Sequence, residues 1–333
     1  MNDVRIGDYD AKCGRKKLDK NGKKSFFEQF VVFLFGGLKK RLYLCIAFSE
    51  NGRLAQLVQS VCLTSRGSAV RIRQRPQRQK AVFNTKAAVF IFFRCMMDNI
   101  KWVWVDLDDT VWDFRANSWE TLGEMYEIEG LDRYFESVDD WREKYLEYNH
   151  SLWPLYNEGK ITKEYLQVER FRKVLADAGY PQENLMAKAK EMDPKYLSIL
   201  GTKTRLVEGA RQMLQYLKDK GYKIGLISNG FHEVQYRKLQ SSQVEHYFDV
   251  VVLSDDLGVN KPDRRIFDYA LEKAGATAQE TVIIGDNPDT DIAGGINAGW
   301  RAIYFNPSAD ENGANLVTDA VVISKLAMIS LYL

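Results

Sequence analysis

The sequence predicts an α/β fold, a parallel sheet with helices on both faces, interrupted by a long helical insertion. Three observations point to it. Short apolar runs alternate with helical patterns from residue 97 onward, the first two runs stand more than a hundred residues apart, and the polar clusters fall at the ends of the runs. Strands that alternate with helices imply a parallel sheet buried on both faces.

Charge sets the boundary. The formal net charge of +2 hides a division. Residues 1–96 hold 20 of the 47 Lys and Arg but 6 of the 45 Asp and Glu, a balance of +14. Residues 97–333 hold the other 27 and 39, a balance of −12. All four cysteines (Cys13, Cys45, Cys62, Cys95) lie on the basic side. Regions this different are not expected to share a core, and the acidic one is long enough to bury its own.

The basic leader offers no secretory signal. Its apolar run Phe30–Leu38 is too short to span a bilayer and ends in Lys39, Lys40 and Arg41. The cysteine-free remainder needs no oxidising compartment, so the cytoplasm is the expected location. Leu54–Pro76 sustains no hydrophobic period that names an element, and it resembles the conceptual translation of a transfer-RNA gene. Residues 1–96 are therefore expected to be a mis-annotated extension, absent from the native protein or disordered if made, with Met96 and Met97 as start sites. The competing expectation is a nucleic-acid-binding protein that contacts phosphates through Arg71, Arg73, Arg75 and Arg78. A charge run is the less specific of the two signals.

Along the acidic region, strands are predicted over Trp102–Leu107, Lys223–Ile227, Val250–Leu253, Thr281–Ile284 and Arg301–Phe305. Helices are predicted over Gly209–Lys220, Glu233–Gln240, Arg264–Ala274 and Thr290–Ala298. Between the first two strands, Asn117–Leu200 is helical in pattern and rich in Trp, Tyr and Leu, too long for a simple crossover. The arrangement is a Rossmann-like core, 97–114 and 201–333, with an inserted α-helical cap, 115–200.

Four polar clusters follow the apolar runs: Asp106-Leu107-Asp108-Asp109-Thr110, Ser228-Asn229-Gly230, Lys261-Pro262, and Gly285-Asp286-Asn287-Pro288-Asp289-Thr290-Asp291. In open α/β sheets, ligands bind beyond the carboxyl ends of the strands. Asp106 and Asp108 share a side of an extended segment. Carboxylates that close require a cation or a shared proton. Singly, each cluster is an ordinary cap or turn; in this order, each after a strand, they are hard to obtain by chance.

Together these motifs resemble those of the haloacid dehalogenase superfamily of aspartate-nucleophile phosphohydrolases. Phosphomonoesters are dianions, so a site must neutralise the phosphoryl oxygens before a carboxylate can approach. The resemblance implies that Asp106 is the nucleophile and forms an aspartyl-phosphate. It implies that Asp108 protonates the departing oxygen and then deprotonates water. Ser228, Asn229 and Lys261 would hold the phosphoryl group. Mg2+ would bind Asp106, Asp286 and the backbone carbonyl of Asp108, with Thr110 and Asp291 supporting from behind. The carboxylate at Asp108 implies a phosphatase or mutase rather than a dehalogenase. The cap implies a small-molecule phosphate ester as partner, with neither nucleic acid nor membrane, and fixes no oligomeric state.

A narrower resemblance is to the pyrimidine 5′-nucleotidases of this superfamily. It is carried by Ser228-Asn229-Gly230-Phe231, by Gly258-Val259-Asn260-Lys261-Pro262 with Ile266-Phe267-Asp268-Tyr269-Ala270-Leu271, by Gly294-Gly295-Ile296-Asn297-Ala298-Gly299, and by Leu152-Trp153-Pro154-Leu155-Tyr156. It implies nucleoside monophosphates as substrates; the alternative is a phosphatase or phosphomutase of sugar phosphates or phosphoglycolate. Asn149, Trp153 and Tyr156 share one helix face, where cap packing is the commoner role. Trp112, Trp153 and Tyr156 stand as candidate substrate contacts, with Phe114 beside Trp112. His150, His232 and His246 are scattered and suggest no metal site.

Overall fold

The structure, a computed structural model, describes residues 97, 99–309 and 320–333 in full and only the backbone of five strands before them. The chain divides into two compact units, Met1–Phe92 and Phe93–Leu333. In the first, β1 (Asn2–Ile6), β2 (Tyr9–Gly14), β3 (Gln29–Leu34), β4 (Arg41–Phe48) and β5 (Leu54–Cys62) pair antiparallel in chain order. No period names an element across Leu54–Pro76, yet the backbone is strand as far as Cys62, with its register taken from pairing with β4. The expected disorder of the leader, its arginine cluster and the start sites lie outside the described residues, apart from Met97.

The second unit holds six parallel strands: β6 (Trp102–Val105), β7 (Lys223–Ser228), β8 (Val250–Leu253), β9 (Thr281–Gly285), β10 (Arg301–Phe305) and β11 (Ala320–Ile323). They lie in the order β11-β10-β9-β6-β7-β8. From central β6 the chain runs out through β7 and β8, then returns to the other side for β9, β10 and β11. The order therefore reverses at β6, where open sheets bind ligands.

Successive side chains on a strand point to opposite faces, and here both faces are covered. Val103, Val105, Ile224, Leu226, Val282 and Ile284 enter one apolar layer; Trp104, Ile227 and Ile283 enter the other. This is why the strands read as continuous apolar runs rather than alternating ones. The predicted strands agree with the observed ones to within two residues. β11 had no counterpart in the sequence reading: its four apolar residues run almost at once into another apolar stretch, Leu326–Leu331, and no period separates the two.

Between β6 and the linker back to the sheet, the insertion supplies four α-helices: α1 (Phe114–Glu129), α2 (Val138–Asn157), α3 (Lys163–Asp177) and α4 (Gln182–Leu200). Three starts are capped by side chains that accept a backbone N–H: Asp113 from Ala116, Ser137 from Asp140 and Thr162 from Tyr165. The two linkers to the sheet run side by side, with Asp113 N donating to Arg205 O at 3.1 Å and Val207 N to Val111 O at 3.0 Å. Inside the insertion, Trp141, Tyr145, Phe171 and Tyr196 pack together and belong to the same apolar cluster as the sheet face. The remaining longer helices are α5 (Ala210–Asp219), α6 (His232–Ser241) and α8 (Arg264–Ala274), with the single turn α7 (Ser254–Leu257) between the last two. No helix among the described residues is long and apolar enough to cross a membrane.

The insertion encloses an ion pair. Arg170 Nε donates to Asp193 Oδ1 at 3.0 Å, and both side chains are buried. Removing one partner of a buried pair strands the other charge. Asp193→Ala is expected to lower unfolding free energy by about 3–5 kcal/mol, read from urea denaturation. A loss under about 1 kcal/mol, the range of exposed pairs, would show that Arg170 finds another partner.

Candidate active site

Asp106 is the first residue beyond β6, and its backbone N–H donates to the Ile284 carbonyl of β9 at 2.9 Å. The central strand thus delivers a nearly buried carboxylate, 7% exposed, to the point where the strand order reverses. Lys261 Nζ donates to Asp106 Oδ1 at 2.6 Å, to Asp291 Oδ1 at 2.6 Å and to the Ile227 carbonyl at 2.8 Å. An ammonium has three protons, and all three are committed to the protein. Lys261 therefore fixes one oxygen of the nucleophile candidate rather than offering a proton to a phosphoryl oxygen.

The surroundings are over-supplied with acid. Asp106, Asp286 and Asp291 bring carboxylate oxygens within 4.8 Å of one another. Burial pushes the Asp106 carboxyl well up; Lys261 opposes this, while Asp291, Asp286 and Asp108 add to it. Burial, then Asp291, raises Asp286 to about 7. Burial first, with Asp108 adding, raises Asp109 to about 6. Lys261 moves the opposite way to a lone buried lysine: burial lowers it, but Asp106 and Asp291 outweigh that and hold it charged. Hard, crowded carboxylate oxygens with one ammonium among them are a donor set that suits a divalent cation.

Local backbone explains how the acids converge. Asp109 takes the left-handed conformation, φ 58°, which Asp tolerates better than most residues. Thr110 Oγ1 donates to Asp286 Oδ1 at 3.3 Å. Gly285 ends β9 with no side chain because a Cβ there would stand 2.3 Å from Asp291 Oδ2. That same oxygen accepts the Asn287 N–H at 3.1 Å. The third acid joining Asp106 and Asp286 is therefore Asp291, placed by sequence in a supporting role.

Ser228 Oγ accepts from Gly230 N at 3.2 Å and from Gln235 Nε2 at 2.6 Å, which leaves its own proton to donate. Asn229 is engaged differently. Its Nδ2 donates to Asn157 Oδ1 at 2.9 Å and to Lys261 O at 3.0 Å, and its Oδ1 accepts the Lys261 N–H at 2.7 Å. The side chain expected to donate to phosphate instead ties the end of α2 to the lysine loop.

Two site residues were missed in the sequence. Lys238 Nζ donates to Asp108 Oδ1 at 2.7 Å, and Gln235 Nε2 donates to Asp108 Oδ2 at 2.9 Å as well as to Ser228. Both are buried, and they stand three residues apart on α6. Gly230 makes room, since a Cβ there would lie 2.1 Å from the Gln235 amide nitrogen. The available signal was a polar pair at helical spacing, set between the apolar residues Val234 and Leu239. His232 on the same helix pairs with Asp256 at the surface.

These groups surround a cavity of about 310 Å3, with five carboxylates (Asp106, Asp108, Asp109, Asp286, Asp291) and Lys261 in its wall. Of the three aromatic candidates, only Trp153 lines it. Trp112 has no exposed surface: its indole N–H donates to Lys203 O at 3.2 Å, and Lys238 Nζ lies 4.5 Å over its ring. Phe114 takes the place on the wall. Tyr156 packs edge-on against Phe231 at 6.1 Å, and Trp153 stacks on the same ring at 5.8 Å.

The sheet is parallel, carries a helical insertion after its first strand and gathers acids at its switch point. A sequence model of the haloacid dehalogenase-like hydrolases matches residues 100–299, and the chain belongs to that family. It is a phosphoric monoester hydrolase. Pyrimidine 5′-nucleotidase YjjG of Escherichia coli strain K12 is 32% identical over 210 residues, 62% of this chain and 87% of that protein. Pyrimidine 5′-nucleotidase PynA of Streptococcus pneumoniae strain R6 is 28% identical over 213 residues, 64% of this chain and 86% of that protein. The crystal structure of Bacillus subtilis YfnB bound to magnesium matches with a TM-score of 0.60 at 26% identity, over 69% of this chain and 97% of that one.

Lys238 holds the carboxylate to which the motif resemblance assigns leaving-group protonation, so its removal is expected to act on that step. Lys238→Met is expected to lower kcat about tenfold or more on an alkyl phosphate, within the range general acid–base groups contribute. It should lower kcat less on p-nitrophenyl phosphate, whose leaving group needs no proton. Equal losses on both esters would reduce Lys238 to a packing role.

Proposed function

We propose that this phosphatase hydrolyses nucleoside 5′-monophosphates, pyrimidine ones first, through an aspartyl-phosphate on Asp106. The observation that carries the chemistry is the pairing of Asp106, held by one oxygen to Lys261, with Asp108 two residues on in the same cavity wall. The substrate class is supported by the two nucleotidases above, each matched over most of its length.

Asp106 attacks phosphorus with the oxygen that Lys261 leaves unbonded, forming the acyl-phosphate as the ester P–O bond breaks. Asp108 gives its proton to the departing alkoxide, then takes one from the water that attacks phosphorus and releases phosphate and free Asp106. Ser228 donates its free hydroxyl proton to a phosphoryl oxygen. Gln235 and Lys238 fix the direction in which Asp108 presents itself.

Mg2+ would be held by Asp106, Asp286 and the backbone carbonyl of Asp108, with Asp291 close behind. The donor set fits: all are hard oxygens, and buried acids outnumber the lysine among them. When bound, the ion supplies positive charge to the phosphoryl oxygens and to the ionised form of Asp106.

Asp106→Asn is expected to abolish turnover and leave no phosphoryl adduct detectable by mass spectrometry after exposure to substrate. An adduct on that variant would remove Asp106 as nucleophile. Excess chelator should stop hydrolysis, with magnesium restoring it, and Asp286→Ala should raise the magnesium concentration needed for half activity. Across a panel of nucleotides, sugar phosphates and phosphoglycolate, uridine monophosphate is expected to give the highest kcat/KM. A clearly higher value for a sugar phosphate or phosphoglycolate would overturn the nucleotidase assignment.

A further inference from the structure

A second chamber, about 730 Å3, adjoins the catalytic cavity: Phe114 and His150 line both. Arg142, Leu146 and His150 stand at i, i+4 and i+8, so one face of α2 forms one wall. Arg115 and Trp119 come from α1, and Arg205 from the linker that returns to the sheet.

Of the three arginines, Arg115 and Arg142 each meet one carboxylate and Arg205 meets none among the described residues. The Arg205 carbonyl accepts from Asp113 N at 3.1 Å and from Asn117 Nδ2 at 2.8 Å, which fixes its backbone. Its guanidinium has no ion-pair partner among the described residues. Arg115 meets Asp109 at 3.3 Å with 84% of its side chain exposed, a pair that solvent keeps weak. Arg142 donates to Trp119 O at 3.0 Å and to Asp139 Oδ1 at 2.9 Å, which sets its guanidinium 4.8 Å over the Trp119 ring. Glu120 is the only carboxylate in the wall, and Lys203 holds it at 2.5 Å. Burial, then the Arg115 charge, keeps His150 below its usual range, so it faces the chamber as a neutral donor and acceptor.

Guanidinium groups are planar forks of donors and suit oxygen acceptors. We propose that this chamber is the leaving-group subsite of the phosphatase, and that it selects esters whose far end carries such oxygens. The inference rests on the phosphomonoesterase chemistry above and deepens it. The two carbonyls of uracil or thymine supply these acceptors in a nucleotide; a carboxylate or second phosphate supplies them in a smaller ester. The phosphoryl group sits at Asp106, and the leaving group passes Phe114 and His150 to reach the arginines.

The test compares the full chain with Arg205→Gln and Arg115→Gln, in magnesium, on four esters. Uridine monophosphate carries carbonyls, phosphoglycolate carries a carboxylate, adenosine monophosphate has a base without carbonyls, and phenyl phosphate has neither group. Arg205→Gln is expected to lower kcat/KM on an acceptor-bearing ester about tenfold relative to phenyl phosphate, the scale of one lost charge-assisted hydrogen bond. Arg115→Gln should act in the same direction. A selective loss on uridine monophosphate assigns the site to a base, and one on phosphoglycolate assigns it to a carboxylate. Which ester the unaltered enzyme prefers tests the nucleotidase assignment separately, since a phosphoglycolate preference removes that assignment while the chamber stands. Equal losses on all four esters, or none on any, would overturn the subsite.

Discussion

The ammonium of Lys261 is the interaction on which the site depends. Burying a lone lysine is costly, and here two carboxylates and a carbonyl take all three of its protons. Its backbone is gripped as well, by the Asn229 side chain at both N–H and carbonyl. Asn229 in turn reaches Asn157, the last residue of α2. A short run of hydrogen bonds therefore connects the helical insertion to the nucleophile.

One lysine does not balance the acids. Asp106 and Asp291 share it, and Asp106, Asp286 and Asp109 all stay raised by burial and by their neighbours. Asp108 is treated differently, because it has a cation of its own in Lys238. Two carboxylates two residues apart thus sit in different electrostatic company. One looks toward a crowded acid cluster, the other toward α6. Such a separation of environments is what the proposed chemistry requires, in which one loop supplies both a nucleophile and a proton-transfer group.

Most of the fold was legible because its signals are local. Trp102-Val103-Trp104-Val105 and Lys223–Ser228 are continuous apolar runs that close in acid or hydroxyl groups, and such runs belong to strands buried on both faces. Three of the four motifs were legible for the same reason, since Asp106, Ser228 and Gly285 stand at or next to a strand end, while Lys261-Pro262 stands eight residues past β8. What was not legible depends on tertiary contact. Gln235 and Lys238 read as polar positions of a surface helix; only the approach of Asp108 makes them part of the site. Trp112 read as a substrate contact because it follows the nucleophile loop, but the insertion linkers bury it completely. Asn229 sits where a phosphate donor belongs by sequence, and only the positions of Asn157 and Lys261 reveal that its amide is already engaged.

The insertion is held over the site by unlike contacts, and their sizes decide which one governs. Lys163 reaches Asp255 at 2.7 Å, a part-exposed ion pair of about 1 kcal/mol or less. Beside it, Leu152 and Leu166 from the insertion pack with Phe231 and Val234 from the sheet side, and Trp153 and Tyr156 add their rings to Phe231. Burying one such side chain is worth about 1.5–3 kcal/mol, so the apolar contact outweighs the ion pair. Phe231 directly follows Ser228-Asn229-Gly230, and the Lys163 ammonium lies 4.6 Å over its ring. The loop that carries Ser228 therefore also carries an apolar anchor for the insertion.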